Sequence, residues 1–249
     1  MSGHSKWATT KHRKGALDKA RGKLFAKLIR QVEVAAREGG PDVNANATLR
    51  TMFQKARDAS VPLDTIERAI KRGTGQLEGV RYEAISYEGY APEGVALIVE
   101  CLTDNRNRTS SDVRTILSRN GGSMAEPGAV AWQFERKGLI VLDKKVSEDD
   151  LMAVALDAGG EDLRDEADEW VLVSSPTSLP GLRGALEEAG IAFESAEVQM
   201  VPTTTVEVSE ESGARKVLKV IDLLEDLDDV QTVFSNFEIP DEVLEKIDS

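Results

Sequence analysis

The sequence predicts an α+β protein of three domains. These are an N-terminal three-helix bundle (1–77), a discontinuous α+β domain (78–136 and 203–249), and a ferredoxin-like domain (137–202) inserted into it. Three observations predict this. Up to Gly75 the apolar residues recur at helical spacing. From 137 to 202 the patterns run strand, helix, strand, strand, helix, strand, which is the βαββαβ order of the ferredoxin-like unit. Flanking it are strand–strand–helix–strand (83–135) and strand–helix–strand (204–238), each incomplete alone and together enough for one domain. A separate C-terminal domain is the competing arrangement. With 249 residues, 41% of them hydrophobic, the chain can fill several small cores.

The elements follow in order. Residues 2–15 are polar and basic and cannot bury a core, so they are expected to form a mobile arm. From 16 to 37, Leu17, Leu24, Leu28, Val32 and Ala35 share one helical face. Lys19, Lys23, Lys27 and Arg30 recur at four, four and three, so at about 100° per residue they cluster within roughly 80° on the opposite, outward face. Gly39-Gly40-Pro41 ends this helix, and Asp42 or Asn44 is placed to cap the next. Leu49, Met52, Phe53 and Ala56 mark the second helix, and Ile66, Ala69 and Ile70 mark a third that stops at Gly73-Thr74-Gly75.

Beyond Gly75, residues 83–88 and 95–103 read as strands. Thr109 with Asp112 resembles a capping box for a helix carrying Val113, Ile116 and Leu117. Arg106 and Arg108 then precede a helix N-terminus, where an anion is favoured. They suit a second phosphate contact, or equally a loop whose arginines pair with nearby acids. Val130, Trp132 and Phe134 alternate as in a half-buried strand. In the inserted unit, helices at 147–158 and 179–189 alternate with strands at 138–142, near Leu163, at 169–174 and at 192–200. The tail adds a strand at 204–209, a helix at 213–226 and a strand at 230–238.

Charge divides the chain. Residues 1–75 hold 16 Lys+Arg against 7 Asp+Glu, a net of +9, whereas 76–249 hold 15 against 37, a net of −22. A local basic patch, rather than total charge, is the electrostatic footprint of a nucleic-acid binder. Trp7, set among Lys6, Lys11, His12, Arg13 and Lys14, could stack on a base while the cations meet phosphates, or could tuck back onto the first helix. Lys71 and Arg72 extend the basic surface of the bundle.

An inventory argues against catalysis. The only histidines, His4 and His12, lie in the arm and leave no imidazole in the folded body. They also make a poor metal pair without cysteines nearby. The single cysteine, Cys101, sits in an apolar strand, and no phosphate-loop or dinucleotide glycine motif occurs. The expectation is a non-enzyme with no metal and no cofactor. One cysteine, no secretory h-region and no apolar run near membrane length lead to the expectation of a cytoplasmic protein without a membrane partner, and a monomer is expected.

Several motifs in order carry a resemblance. Gly3-His4-Ser5-Lys6-Trp7, Lys11-His12 and Arg21-Gly22-Lys23-Leu24-Phe25 open the chain. Ile66-Glu67-Arg68-Ala69-Ile70-Lys71-Arg72-Gly73 and Tyr87-Glu88-Gly89-Tyr90 follow. Thr103-Asp104-Asn105-Arg106-Asn107-Arg108-Thr109 and Trp132-Gln133-Phe134 complete the set. Over essentially its whole length the chain resembles the YebC family, which includes a mitochondrial translational activator of cytochrome oxidase subunit I. The resemblance implies a helical N-terminal domain and two α+β domains, one discontinuous. It also implies either a DNA-binding transcriptional regulator or a translation factor at the ribosome. A basic arm with a tryptophan suits structured RNA, where such segments fold on binding. Ribosomal RNA or tRNA on the ribosome is therefore the favoured partner, DNA the alternative, and a protein–protein adaptor the third possibility.

Overall fold

The structure, a computed structural model, describes residues 17–166 and 169–248, with side chains from Gly22 to Ile247. Three helices open it: α1 (Leu17–Gly39), α2 (Ala47–Asp58) and α3 (Leu63–Gly73). Leu28, Val32, Ala35, Leu49, Ala56, Ile66 and Ala69 form their shared core. Leu24, expected on the apolar face, is 48% exposed, because the core begins one residue later, at Phe25. The cap of α2 is Asn46 rather than Asp42 or Asn44. Its Oδ1 accepts the Leu49 N–H, and its amide donates to the carbonyls of Ala35 and Gly40, so one buried side chain closes both α1 and α2. At Gly73 a Cβ would stand 2.3 Å from the Glu33 carbonyl oxygen, so glycine permits the close approach of α3 to α1.

The second unit is a four-stranded sheet of order β3-β1-β2-β9. Its strands are β1 (Glu83–Tyr90), β2 (Ala96–Thr103), β3 (Ser123–Met124) and, far along the chain, β9 (Val230–Ser235). β2 pairs antiparallel with both β1 and β9. It is buried on both faces except at Glu100, and so reads as a continuous apolar run. Leu97, Val99 and Cys101 pack against α4 (Arg106–Arg119) and α7 (Glu211–Glu225) through Val113, Leu117, Val217, Ile221 and Leu224. Ala96 and Ile98 face the other way, onto Val130, Phe134 and Phe234. The run expected as a strand at Val130–Phe134 is instead a 3-10 turn (Ala131–Gln133), with Trp132 69% exposed. Glu88 sets that turn, since its carboxylate accepts the N–H groups of Gly128, Val130 and Ala131 at 2.6, 2.7 and 3.0 Å.

Between β3 and β9 lies the inserted ferredoxin-like unit. Its elements are β4 (Phe134–Asp143), α5 (Glu148–Ala158), β5 (Gly160–Asp165), β6 (Glu169–Ser174), α6 (Leu179–Glu188) and β7 (Ser195–Pro202). The sheet order is β5-β6-β4-β7 with every pair antiparallel. Ile140, Leu142, Leu151, Trp170, Leu172, Leu182 and Leu186 make its own core. Met200 of β7 joins the back of the first sheet, so these two units share apolar contact. The tail adds β8 (Val206–Glu207) parallel to β10 (Phe237–Glu238), and α8 (Asp241–Asp248). Buried Asn236 divides β9 from β10. Its Oδ1 accepts the Ala96 N–H while its amide donates to Gln133 and to the Thr204 carbonyl, tying down the returning linker.

Candidate nucleic-acid interface

The basic face of α1 does not point to solvent. The helix 3.6-residue repeat places Lys23, Lys27 and Arg30 in one row, and that row lies against the segment between α7 and β9. Lys23 Nζ reaches Asp226 Oδ1 at 2.7 Å and the Asp226 carbonyl at 3.1 Å. Lys27 donates to the Glu225 carbonyl at 3.0 Å. Arg30 donates to the Asp228 carbonyl at 2.7 Å, to Asp229 Oδ1 at 2.9 Å and to the Leu102 carbonyl at 3.3 Å, and lies 5.0 Å from the ring centre of Tyr82. The acceptors are there for a local reason. α7 ends at Glu225 with Asp226 as its cap, so its last carbonyls lack helical partners and carry the negative end of the helix dipole. The expected outward orientation of Lys23, Lys27 and Arg30 is therefore corrected. Periodicity identified the row, and tertiary packing covered it.

Asp229 is the hub. Besides Arg30 it receives Arg108 at 2.7 Å, Thr109 Oγ1 at 2.8 Å and Thr103 Oγ1 at 3.2 Å. Burial pushes its carboxyl up, but the hydrogen bonds from Arg108, Thr109 and Arg30, with the Arg108 charge, hold it below the usual aspartate value. Arg108 also meets Asp104 at 2.7 Å. Of the two roles open to Arg108, pairing with acids is the one the structure shows. The α4 cap is Asn105, whose side chain accepts the Arg108 N–H, so the helix starts earlier than a Thr109 cap would place it. Thr109 is buried inside the first turn. Arg106 is exposed at the first helical position, 4.0 Å from Glu83. A cleft of about 540 Å³ runs along this seam, lined by Arg30, Tyr82, Arg108, Asp104, Asp112 and Asp226–Asp229.

The remaining site residues separate. Arg72 is turned inward to buried Glu33 at 3.0 Å, while Lys71 on the same helix is exposed. The exposed positions of α3 mix signs: Asp64 and Glu67 with Arg68 and Lys71, Arg68 being paired to Asp64 at 2.6 Å. Lys6, Trp7, Lys11, His12, Arg13 and Lys14 lie outside the described residues, as does the side chain of Lys19. Asp226 and Tyr82 were missed by sequence reasoning, as was the Lys55–Glu197 ion pair (2.9 Å) joining the bundle to the inserted unit. The run of four acids in 225–229 beside a lone basic helix was the available signal.

Little here resembles reaction chemistry. Cys101 is buried, and its thiol is pushed up to about 12 by burial and then by Asp229 and Glu100, so it is no nucleophile near neutral pH. Among the described residues no three His, Cys, Asp or Glu side chains group as a metal site, and no helix is long and apolar enough to cross a membrane.

The architecture defines a class: a basic helical bundle joined to a discontinuous α+β unit with a ferredoxin-like insertion. The description "TACO1/YebC protein N-terminal domain" matches residues 5–76, and "TACO1/YebC second and third domain" matches residues 82–237. The chain belongs to the TACO1/YebC family. It is 55% identical over 251 residues to a probable transcriptional regulatory protein of Streptomyces coelicolor, covering all of both chains. It is 57% identical over 249 residues to one of Acidothermus cellulolyticus, covering 99% of this chain and all of the other. The crystal structure of a conserved hypothetical protein from Aquifex aeolicus is similar with a TM-score of 0.83 and 46% identity, over 91% of this chain and 94% of that one.

Proposed function

We propose that this chain is a non-enzymatic regulator of gene expression that binds nucleic acid through its N-terminal unit, with ribosomal RNA or tRNA as the target. The single observation that carries it is the segregation of charge, +9 in residues 1–75 against −22 beyond. That basic part has its own helical core, so it can present cations while the acidic remainder is repelled by phosphate and sets the docking direction. The four arm cations Lys6, Lys11, Arg13 and Lys14, with Trp7 for stacking and Lys71 exposed on α3, are the groups assigned to contact.

DNA is the second reading. Relatives are named transcriptional regulatory proteins, and α2 and α3 are joined by a four-residue turn (59–62), as in a helix-turn-helix. Asp64 and Glu67 on the exposed side of α3 weigh against its insertion in a major groove, where they would face phosphate on both sides. Sedimentation of the tagged protein with cell lysate through a sucrose gradient separates the two. RNA binding predicts co-migration with ribosomes that survives DNase and is lost when Lys6, Lys11, Arg13 and Lys14 are all changed to Glu. Exclusion from ribosomal fractions, with footprints on duplex DNA, would sink the RNA assignment.

A further inference from the structure

We propose that the acidic 225–229 segment is a self-inhibitory occupant of the α1 basic row, holding the place of nucleic-acid phosphates until nucleic acid displaces it. This rests on the proposal that the N-terminal unit binds nucleic acid. The hydrogen bonds described for the row Lys23, Lys27, Arg30 go to the carboxylates of Asp226 and Asp229 and to the carbonyls of Leu102, Glu225, Asp226 and Asp228, and Arg30 also lies over the Tyr82 ring. Their spacing presents each cation with an anionic or partly negative acceptor, which is what a phosphate backbone offers. Exchange of one acceptor set for the other keeps every cation compensated.

The joint is built to part. The bundle core and the second-unit core are separate clusters, with no described residue common to both. By contrast the inserted unit is fastened to the second by Met200 in a shared apolar cluster. The bundle's described hydrogen bonds across to the other units are charged or amide contacts, including Gln31 to Gln231 at 3.3 Å and Lys55 to Glu197. Asp226 is solvated, with 72% of its side chain exposed, and its partner Lys23 keeps 33% exposed, so a competing polyanion can reach Lys23. The exposed Lys23–Asp226 contact is screened by salt, whereas apolar burial is not, and the nearly buried Arg30–Asp229 pair is the part of the seam that opposes parting. The weak seam therefore runs between the basic row and the acidic segment, and the phosphate-binding face is completed only when the seam opens.

The test uses the full chain with Gln31→Cys and Gln231→Cys, neutral positions at the seam; native Cys101 is buried. With nitroxide labels on the pair, electron–electron distance measurement is made without and with bulk tRNA, while filter binding follows occupancy. The expected result is one short distance alone and a second, longer population that grows with bound tRNA. In parallel, joining the two cysteines with a short bis-maleimide should weaken tRNA binding by about tenfold, within the ordinary range of coupling between two sites, relative to the same protein capped with N-ethylmaleimide. Labels already far apart without tRNA would overturn the closed state. Unchanged distance with tRNA bound, and a lock without effect, would show a static joint and overturn the inference while leaving nucleic-acid binding intact. No binding by capped or native protein at low salt would remove both.

Discussion

Asp229 is the side chain on which two units converge. It gathers two guanidinium groups and two threonine hydroxyls at a site 7% exposed. Asp229→Asn replaces an acceptor-only carboxylate by a group that must point an amide N–H at donors. Breaking a buried pair costs about 3–5 kcal/mol, but Arg108 is half exposed, so solvent lowers the expected loss to about 2 kcal/mol, measured by urea unfolding. The sign of the pH effect follows from the lowered carboxyl. The unfolded chain takes up a proton near pH 4, before the native Asp229 does. Its stabilisation is therefore whole above the unfolded value and fades as pH falls through the native one. Wild type should lose stability on acidification more steeply than Asp229→Asn, and parallel curves would contradict the hub. Glu88 acts alike on a loop: burial raises its carboxyl, and three backbone N–H groups bring it below the usual value. Glu88→Gln leaves at least one of those N–H groups without its partner, so hydrogen exchange at 128–131 should quicken with a loss of about 1–2 kcal/mol.

At the scale of elements, the α1–α3 crossing is the tightest joint in the bundle. Gly73→Ala would press a methyl on the Glu33 carbonyl, and forced overpacking costs about 1–3 kcal/mol. A lowered helical melting transition checks it, and an unchanged one would mean the helices part freely. Much of this scale was legible beforehand. The βαββαβ order, the strand pair β1–β2 and the three helices all follow from spacing, and β9 does join β2 as the incomplete halves required. Val130–Phe134 was misread because alternation also fits a turn whose backbone is held by a distant carboxylate, Glu88, and no local pattern records that bond. The α1 row was misread for a related reason. A helical face is written in the sequence, but what covers it came from residues about 200 positions away.

At the scale of the molecule, a chain of net charge −13 keeps its excess cations at one end and turns the row Lys23, Lys27 and Arg30 onto two of its own carboxylates and the carbonyls beside them. Under the proposed function, that arrangement gives the chain a fixed orientation on a polyanion. It also ties affinity to ionic strength. The most direct measurement of the central claim is the affinity of the full chain for bulk tRNA from 50 to 200 mM salt. Neutralising about six phosphates predicts a fall of about a thousandfold or more across that range, with a shallower slope once Lys6, Lys11, Arg13 and Lys14 are changed to Glu. Binding that is indifferent to salt, or absent at 50 mM, would contradict the assignment of the N-terminal unit to nucleic acid.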